Sequence, residues 1–281
     1  MIVDSLFVYP VKGMRGIAVD SAQVAARGFL HDRRWLVIDE NDCFITQREN
    51  SALATIDVRV KADGLYFSAN SVGVTDVLTP EAGDRISVTI WRDQVDVRVA
   101  ADTVNNWLSD VLDQPVRLVF MDKDAARTTS GHWGAPTPVS FADGYPFLIT
   151  TTASLKALND ALENSGREAV GIERFRPNIV VTCDQPWADD KWRMVKIGDV
   201  SFDYVKPCVR CVVTTKDQQT GASLGKEPLK TLSIIRRSAH SDLNGALFGW
   251  NAVPEGEGIV RIGDEVTIIE ERPEAWPIAL S

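Results

Sequence analysis

Cys208 and Cys211 carry the most concentrated chemistry of the chain. They stand in the run Lys206-Pro207-Cys208-Val209-Arg210-Cys211 and are two of only four cysteines in 281 residues. A thiolate acts as a nucleophile, a redox centre or a soft metal ligand, and the cationic neighbours Lys206 and Arg210 favour thiolate over thiol. A thioredoxin-type dithiol needs its pair at a helix N-terminus. Here Val212-Val213-Thr214-Thr215 follows, a β-branched run that predicts a strand. A structural zinc site draws on a second cysteine or histidine pair, but His31, His132 and His240 are scattered and Cys43 and Cys183 are isolated. An iron–sulfur cluster needs four ligands at family spacings, and those spacings are missing. The plainer alternative is two small side chains packed in a core, where free cysteines commonly sit. On an extended segment, positions three apart face opposite sides. The spacing therefore predicts one sulfur turned to a pocket and the other packed. That geometry suits a single-thiolate ligand to a soft transition metal whose other ligands come from a cofactor.

The elements that must position this run are mostly strands. Short apolar or alternating segments bounded by turn residues predict strands at Ile2–Tyr9, Arg34–Asp39, Phe44–Gln47, Ile56–Val60 and Leu65–Ser68. Ile86–Trp91 and Val95–Val99 read as a hairpin, and Val116–Phe120 as a further strand. Later strands are expected at Asn178–Thr182, Met194–Ile197, Val200–Val205 and Asp264–Glu270. Helical spacing of apolar residues appears at Thr103–Leu112 and Ala153–Glu163, and a short helix is expected at Glu227–Arg236. The polar stretch 122–139, with its glycines and prolines, reads as an exposed excursion between two parts. Trp35 is expected in the core. Many short strands and few helices predict a mainly β, barrel-like protein. The chain has no GxGxxG and no P-loop motif, and the serial βαβ interleaving of a dinucleotide fold is absent.

Composition narrows the setting. Hydrophobic residues make up 44% and charged residues 25%, an ordinary globular balance. A net charge of −9 repels phosphate backbones, so a nucleic-acid polymer is not the expected partner. The N-terminus lacks signal-peptide features and no run of about 18 apolar residues occurs, so no membrane span is expected. Few cysteines predict a reducing, cytoplasmic location.

Several segments together resemble a known family. The Lys206–Cys211 run is followed by Thr214-Thr215 and Thr220-Gly221. Before and after it, in order, come Tyr9-Pro10-Val11-Lys12, Asp32-Arg33-Arg34-Trp35, Phe175-Arg176-Pro177-Asn178 and Lys226-Glu227-Pro228-Leu229. This series is similar to MOSC-domain proteins, and over nearly the whole chain it resembles bacterial two-part relatives of the mitochondrial amidoxime-reducing component. The resemblance implies an N-terminal β domain over 1–121 packed on a MOSC β-barrel over 122–271, with a tail at 272–281.

It also implies a molybdenum cofactor, a pterin carrying molybdenum. Cys211 would ligate the molybdenum as the catalytic thiolate, with Cys208 as its packed partner. Lys12, Arg33 and Arg176 would hold the pterin phosphate. Asn178 and the Asp143-Gly144-Tyr145 turn would contact the pterin. Gly13 stands where many relatives carry Ser and would offer its N–H. Cys183, after the Phe-Arg-Pro-Asn strand, is a further cofactor-binding landmark. Taken singly, each cation also reads as a surface lysine or a rim salt bridge.

The implied reaction takes small N-hydroxylated compounds from N–OH to N–H plus water. Some relatives continue into a ferredoxin domain. This sequence ends at Ser281 without one, so electrons are expected from a separate reductase or iron–sulfur protein. A sulfur carrier or sulfurtransferase using a Cys211 persulfide, and a non-catalytic cofactor-binding protein, are the competing readings.

Overall fold

The computed structural model describes residues 1–279, and they fold mainly as β-structure with three α-helices and four short 3-10 turns. The largest sheet has eight strands. In sheet order they are Val266–Glu271, Trp192–Ile197, Val200–Val209, Leu247–Glu255, Phe147–Thr151, Ile179–Val181, Val3–Val8 and Ile17–Val19. The first strand of the chain is therefore built into the sheet of its second half, where Leu6 pairs with Ile179. Val3, Leu6, Val24 and Phe29 share one core with Phe147, Trp192, Phe202, Tyr204 and Trp250.

All neighbours in this sheet are antiparallel except Phe147–Thr151 and Ile179–Val181. That parallel pair needs a crossover, which the helix Thr152–Asn164 supplies. The helix starts cleanly because the Thr151 hydroxyl accepts the Ser154 amide at 3.2 Å, a cap that stabilises by about 1 kcal/mol. Its apolar face, Leu158 and Leu162, packs on Phe175, Leu232 and Phe248. One βαβ unit thus exists within an otherwise antiparallel fold. The residues just before its second strand, Arg176 and Asn178, are delivered to the edge of the barrel.

The first half holds a four-stranded sheet in the order Trp35–Ile38, Arg117–Phe120, Asp93–Val99 and Arg85–Ile90. A three-stranded meander follows at Asp57–Lys61, Gly64–Ala69 and Gly73–Leu78. Alternation places Trp35 and Val37 in a core with Trp107 and Leu108, and Leu36 and Ile38 in a second core with Val88, Val97 and Phe141. Each such buried side chain stabilises by roughly 1.5–3 kcal/mol. This strand is clamped on both faces, and it fixes the Asp32-Arg33 corner that precedes it.

Four expectations need correction. Val212–Thr215 is a 3-10 turn, not a strand. The Thr214 and Thr215 hydroxyls donate back to the carbonyls of Cys211 and Val212 at 2.9 and 2.8 Å, and these local bonds outcompete a ladder. Phe44–Gln47 forms no strand, only an isolated bridge from Phe44 to Ile38. The stretch 122–139 is tied down rather than exposed throughout. Arg127 is buried, donates to the carbonyls of Ser140 and Ala142 at 2.9 and 2.6 Å, and pairs with Asp93. The strands Phe147–Thr151 and Leu247–Glu255 were not foreseen. No helix among the described residues is long and apolar enough to cross a membrane.

Candidate functional site

The halves meet at a cleft with about 150 Å³ of free volume. From the first half, Lys12, Gly13, Arg33, Gln47, Arg48 and Trp91 line it. From the second come the Asp143–Tyr145 turn, Arg176, Asn178, Arg210 and both Cys208 and Cys211.

The Arg33 corner is a tight construction. His31 and Arg33 have φ of 70° and 49°, left-handed values uncommon for residues with side chains. What holds the corner is Asp32, 1% exposed. Its carboxylate accepts the Tyr9 amide at 2.8 Å and the Asn178 side-chain amide at 3.1 Å, joining the halves. The same carboxylate takes the Arg33 guanidinium at 2.5 Å. Burial opposes the Arg33 charge, but Asp32, with Tyr9 and Asp143, offsets it and holds the guanidinium above its usual range.

Arg176 is also left-handed, with φ of 54°, at the end of the 3-10 turn Ile172–Phe175. Backbone of this kind costs on the order of 1–3 kcal/mol and clusters at functional sites. Arg33 and Arg176 both stack on the Tyr9 ring, at 4.5 and 4.3 Å from its centroid. Burial pushes Arg176 down to about 10, with Arg33 adding to the effect, yet it stays charged at neutral pH. Burial raises the Tyr9 phenol, so it stays neutral and donates to the Pro177 carbonyl at 3.0 Å.

Lys12 is buried and donates to the Phe141 carbonyl at 2.9 Å and to Asp143. Burial pushes its ammonium down, with Asp143 opposing the shift. The Asp143 side chain is 75% exposed by area, but that area faces the cleft. Desolvation there works to raise its carboxyl, and Lys12 first, then Arg33 and Arg48, overcome it and hold Asp143 well below the usual carboxylate range. Gly144 has nothing within 4 Å of the position a Cβ would take, so protein packing does not require glycine there. Gly13 does need to be glycine-like, with φ of 83° and Leu53 at 3.3 Å from a built Cβ.

Both sulfurs lie on the cleft wall, which corrects the expectation that Cys208 packs away. Alternation predicts opposite faces only along a continuous strand. The strand Val200–Val209 shifts register at its end, and Cys211 is already the cap of the next 3-10 turn. The Cys208 sulfur accepts from the Arg210 guanidinium at 2.9 Å, while Arg210 also donates to the Phe175 carbonyl at 2.6 Å. Cys208 is therefore occupied. Cys211 is half-buried and faces the exposed Arg48, whose pKa is raised first by a hydrogen bond to the Cys211 sulfur.

Of the residues singled out from the sequence, Lys12, Gly13, Arg33, Asp143, Gly144, Tyr145, Arg176, Asn178 and Cys211 converge here. Cys183 does not. It packs against the barrel core, and its thiol donates to the Gln185 carbonyl at 3.3 Å. Arg48, Arg210, Trp91 and the reciprocal amide pair Gln47–Gln218 were not foreseen as site residues. Five cations line the cleft with one carboxylate, Asp143, and Asp32 stands behind them. Such an excess fits an anionic ligand. Among the described residues no three His, Cys, Asp or Glu side chains gather to hold a metal by themselves. A metal at Cys211 needs its remaining ligands from a bound group.

Residues 1–115 match the family model of the MOSC N-terminal beta barrel domain, and residues 136–267 that of the MOSC domain. The chain is 33% identical over 282 residues to mitochondrial amidoxime-reducing component 1 of Mus musculus, covering 95% of this chain and 82% of that one. The Homo sapiens protein of the same name is 32% identical over 283 residues, with the same coverage. Molybdenum cofactor sulfurase of Danio rerio is 31% identical over 250 residues, 83% of this chain but only 30% of that protein. Among solved structures, YiiM from Geobacillus stearothermophilus aligns at a TM-score of 0.33 and 16% identity over 48% of this chain and 64% of that chain, too slight a likeness to build on. The cleft takes its residues from both matched regions, and the chain belongs to the MOSC family, in the form that joins a MOSC N-terminal barrel to a MOSC domain.

Proposed function

We propose that the cleft binds a molybdenum-bearing pterin cofactor and that the loaded protein reduces small N-hydroxylated compounds with electrons from a separate protein. The observation that carries this reading is a cleft lined by five cations, one carboxylate and the half-buried Cys211 in an acidic chain. Lys12, Arg33 and Arg176 supply the charge for a phosphate, with the Gly13 amide beside them. Asn178 and the Asp143–Tyr145 turn offer acceptors and donors for a heterocycle, and the bare backbone of Gly144 leaves room for it. Cys211 supplies the single sulfur ligand for the metal, with the Arg48 guanidinium beside it. When bound, the cofactor contributes a two-electron centre that accepts oxygen. Tyr145 is 8% exposed and its phenol is raised by burial, so it stays protonated as a donor at the wall.

The amidoxime-reducing relatives support the reductase reading over most of the chain. The sulfurase relative supports a second reading, a persulfide carried on Cys211, over a smaller share of that protein. Metal and pterin analysis separates them. Protein from cells competent in cofactor synthesis is expected to hold molybdenum and pterin in near-equal amounts, and Cys211→Ser to lose the molybdenum. Full molybdenum retention in Cys211→Ser would overturn the ligand assignment. Cyanide-labile sulfur without molybdenum would favour the carrier.

A further inference from the structure

A second cavity, with about 330 Å³ of free volume, shares a wall with the cleft. Four cations line it, Arg167, Arg174, Lys226 and Lys230, against two carboxylates, Glu168 and Glu227. Glu227 accepts the Thr231 amide at 3.0 Å, and the lining carries two more cations than carboxylates. Leu224, 54% exposed, gives the cavity an apolar contact point. Arg167, Lys226 and Lys230 are exposed, so this is a basic face with an apolar residue on a chain of net charge −9.

The shared wall is two short turns thick. In Ile172–Phe175 and its cap, Arg174 lines the second cavity while Phe175 and Arg176 line the first. In Val212–Thr215, Thr214 lines the first cavity and its carbonyl accepts from Arg174 at 3.1 Å. The Leu224 amide donates to the neighbouring Thr215 carbonyl at 3.0 Å. Thr214 bonds in turn to the Cys211 carbonyl, through its hydroxyl at 2.9 Å and its amide at 3.1 Å. One hydrogen bond and one 3-10 turn therefore separate Arg174 from Cys211.

We propose that this basic face is the docking surface for an acidic electron-transfer protein. The inference rests on the reductase reading above and adds where electrons enter. With cofactor and substrate in the cleft, a protein donor would deliver through a wall, and this wall leads to Cys211, the sulfur that would hold the metal. The balance is N–OH plus two electrons and two protons giving N–H plus water. A [2Fe–2S] donor gives up one electron per docking, so two dockings of reduced donor serve one turnover. Charge complementarity sets the on-rate and makes it salt-dependent, and the apolar residue adds a contact at the centre.

The test uses the full, cofactor-loaded chain and an acidic [2Fe–2S] ferredoxin as probe. Wild type is expected to bind ferredoxin with affinity that falls about tenfold or more from low to physiological salt. Lys226→Glu with Lys230→Glu is expected to weaken binding and raise the KM for ferredoxin by about tenfold. Turnover driven by a reduced viologen should be unchanged in that variant. Lys123→Glu, exposed and lining neither cavity, should behave as wild type in every assay. Equal ferredoxin affinity in wild type and the double variant overturns the proposal, as does absence of binding to wild type or a parallel loss of viologen-driven rate in the variant. Failure of wild type to turn over with viologen would sink the reductase reading instead, and ferredoxin affinity would still measure the docking surface.

Discussion

Two charged clusters, one in the second half and one in the cleft, handle excess charge in opposite ways. In the cleft, five cations line the wall against one carboxylate, Asp143, with Asp32 behind. Elsewhere in the second half, Asp189 and Asp190 lie beside Arg236, which pairs with Asp190, and Arg272 acts on Asp190 from farther off. Arg236 donates to Asp190 at 2.8 Å, with both side chains under a tenth exposed, and stacks 4.5 Å from the Trp187 ring. The surplus carboxyl is Asp189. Burial first, then Asp190, pushes it up to about 7, so as pH falls below 7 it takes up a proton and sheds the surplus charge. The cleft has no such escape. A guanidinium does not give up its proton near neutral pH, and even Arg176 falls only to about 10. An acid surplus heals by protonation, whereas an arginine surplus waits for an anion. That difference marks one cluster as structural and the other as a binding site.

The largest expected effect lies in the acidic cluster. Arg236→Gln leaves Asp190 buried without its cation and should cost about 3–5 kcal/mol in urea unfolding. A cost near zero would mean that the pair is not what holds this part of the barrel.

The sequence carried more of this contrast on the cleft side than on the other. Lys12, Arg33, Arg176, Asn178 and Cys211 each sit in a short motif whose order along the chain could be read, and all five meet in the cleft. Arg48 sits in a loop without periodicity, and only the fold brings it to Cys211. Arg210 was visible as a neighbour of the thiols, but its bond to Cys208 depends on how the strand Val200–Val209 ends. For Asp189 and Asp190, nothing local announces that Arg236 and Trp187 will lie beside them. Strands were legible where alternation was clean, as at Arg85–Ile90. The strand Leu247–Glu255 was hidden by Gly249 and Pro254, both breakers on local rules. Gly249 is required there because a Cβ would meet Thr150 at 2.5 Å, a contact that only the assembled sheet creates.

A middle-sized effect tests the cleft directly. Arg176→Gln removes one member of a like-charged set, so the metal-free protein should keep its stability to within about 1 kcal/mol. Cofactor retention should fall at least about tenfold, or ~1.4 kcal/mol. In the metal-free protein, inorganic phosphate should raise the melting temperature of wild type at matched ionic strength and do less for the variant. If Arg176→Gln proves as destabilising as Arg236→Gln, and phosphate helps both proteins equally, the cleft is structural too and the contrast collapses.

The smallest effect is a slope. The folded-state pKa of Asp189 lies above the value near 4 of an unfolded aspartate. Between about pH 4 and pH 7 the folded state then binds more protons than the unfolded one, so this group's contribution to stability is full below pH 4 and is lost as pH rises through 7. One proton permits at most ~1.4 kcal/mol per pH unit. Asp143 and Asp122 shift the other way, Asp122 to about 2, so their contributions change below pH 4, while His31, lowered by burial, adds the same slope inside the window to wild type and variant alike. Asp189→Asn keeps a neutral side chain and should remove the Asp189 loss between pH 4 and pH 7 while leaving the decline below pH 4 in place. Parallel profiles for wild type and Asp189→Asn would mean that Asp189 is ionised in the fold. The cluster would then hold a net negative charge, and proton uptake would no longer separate it from the cleft.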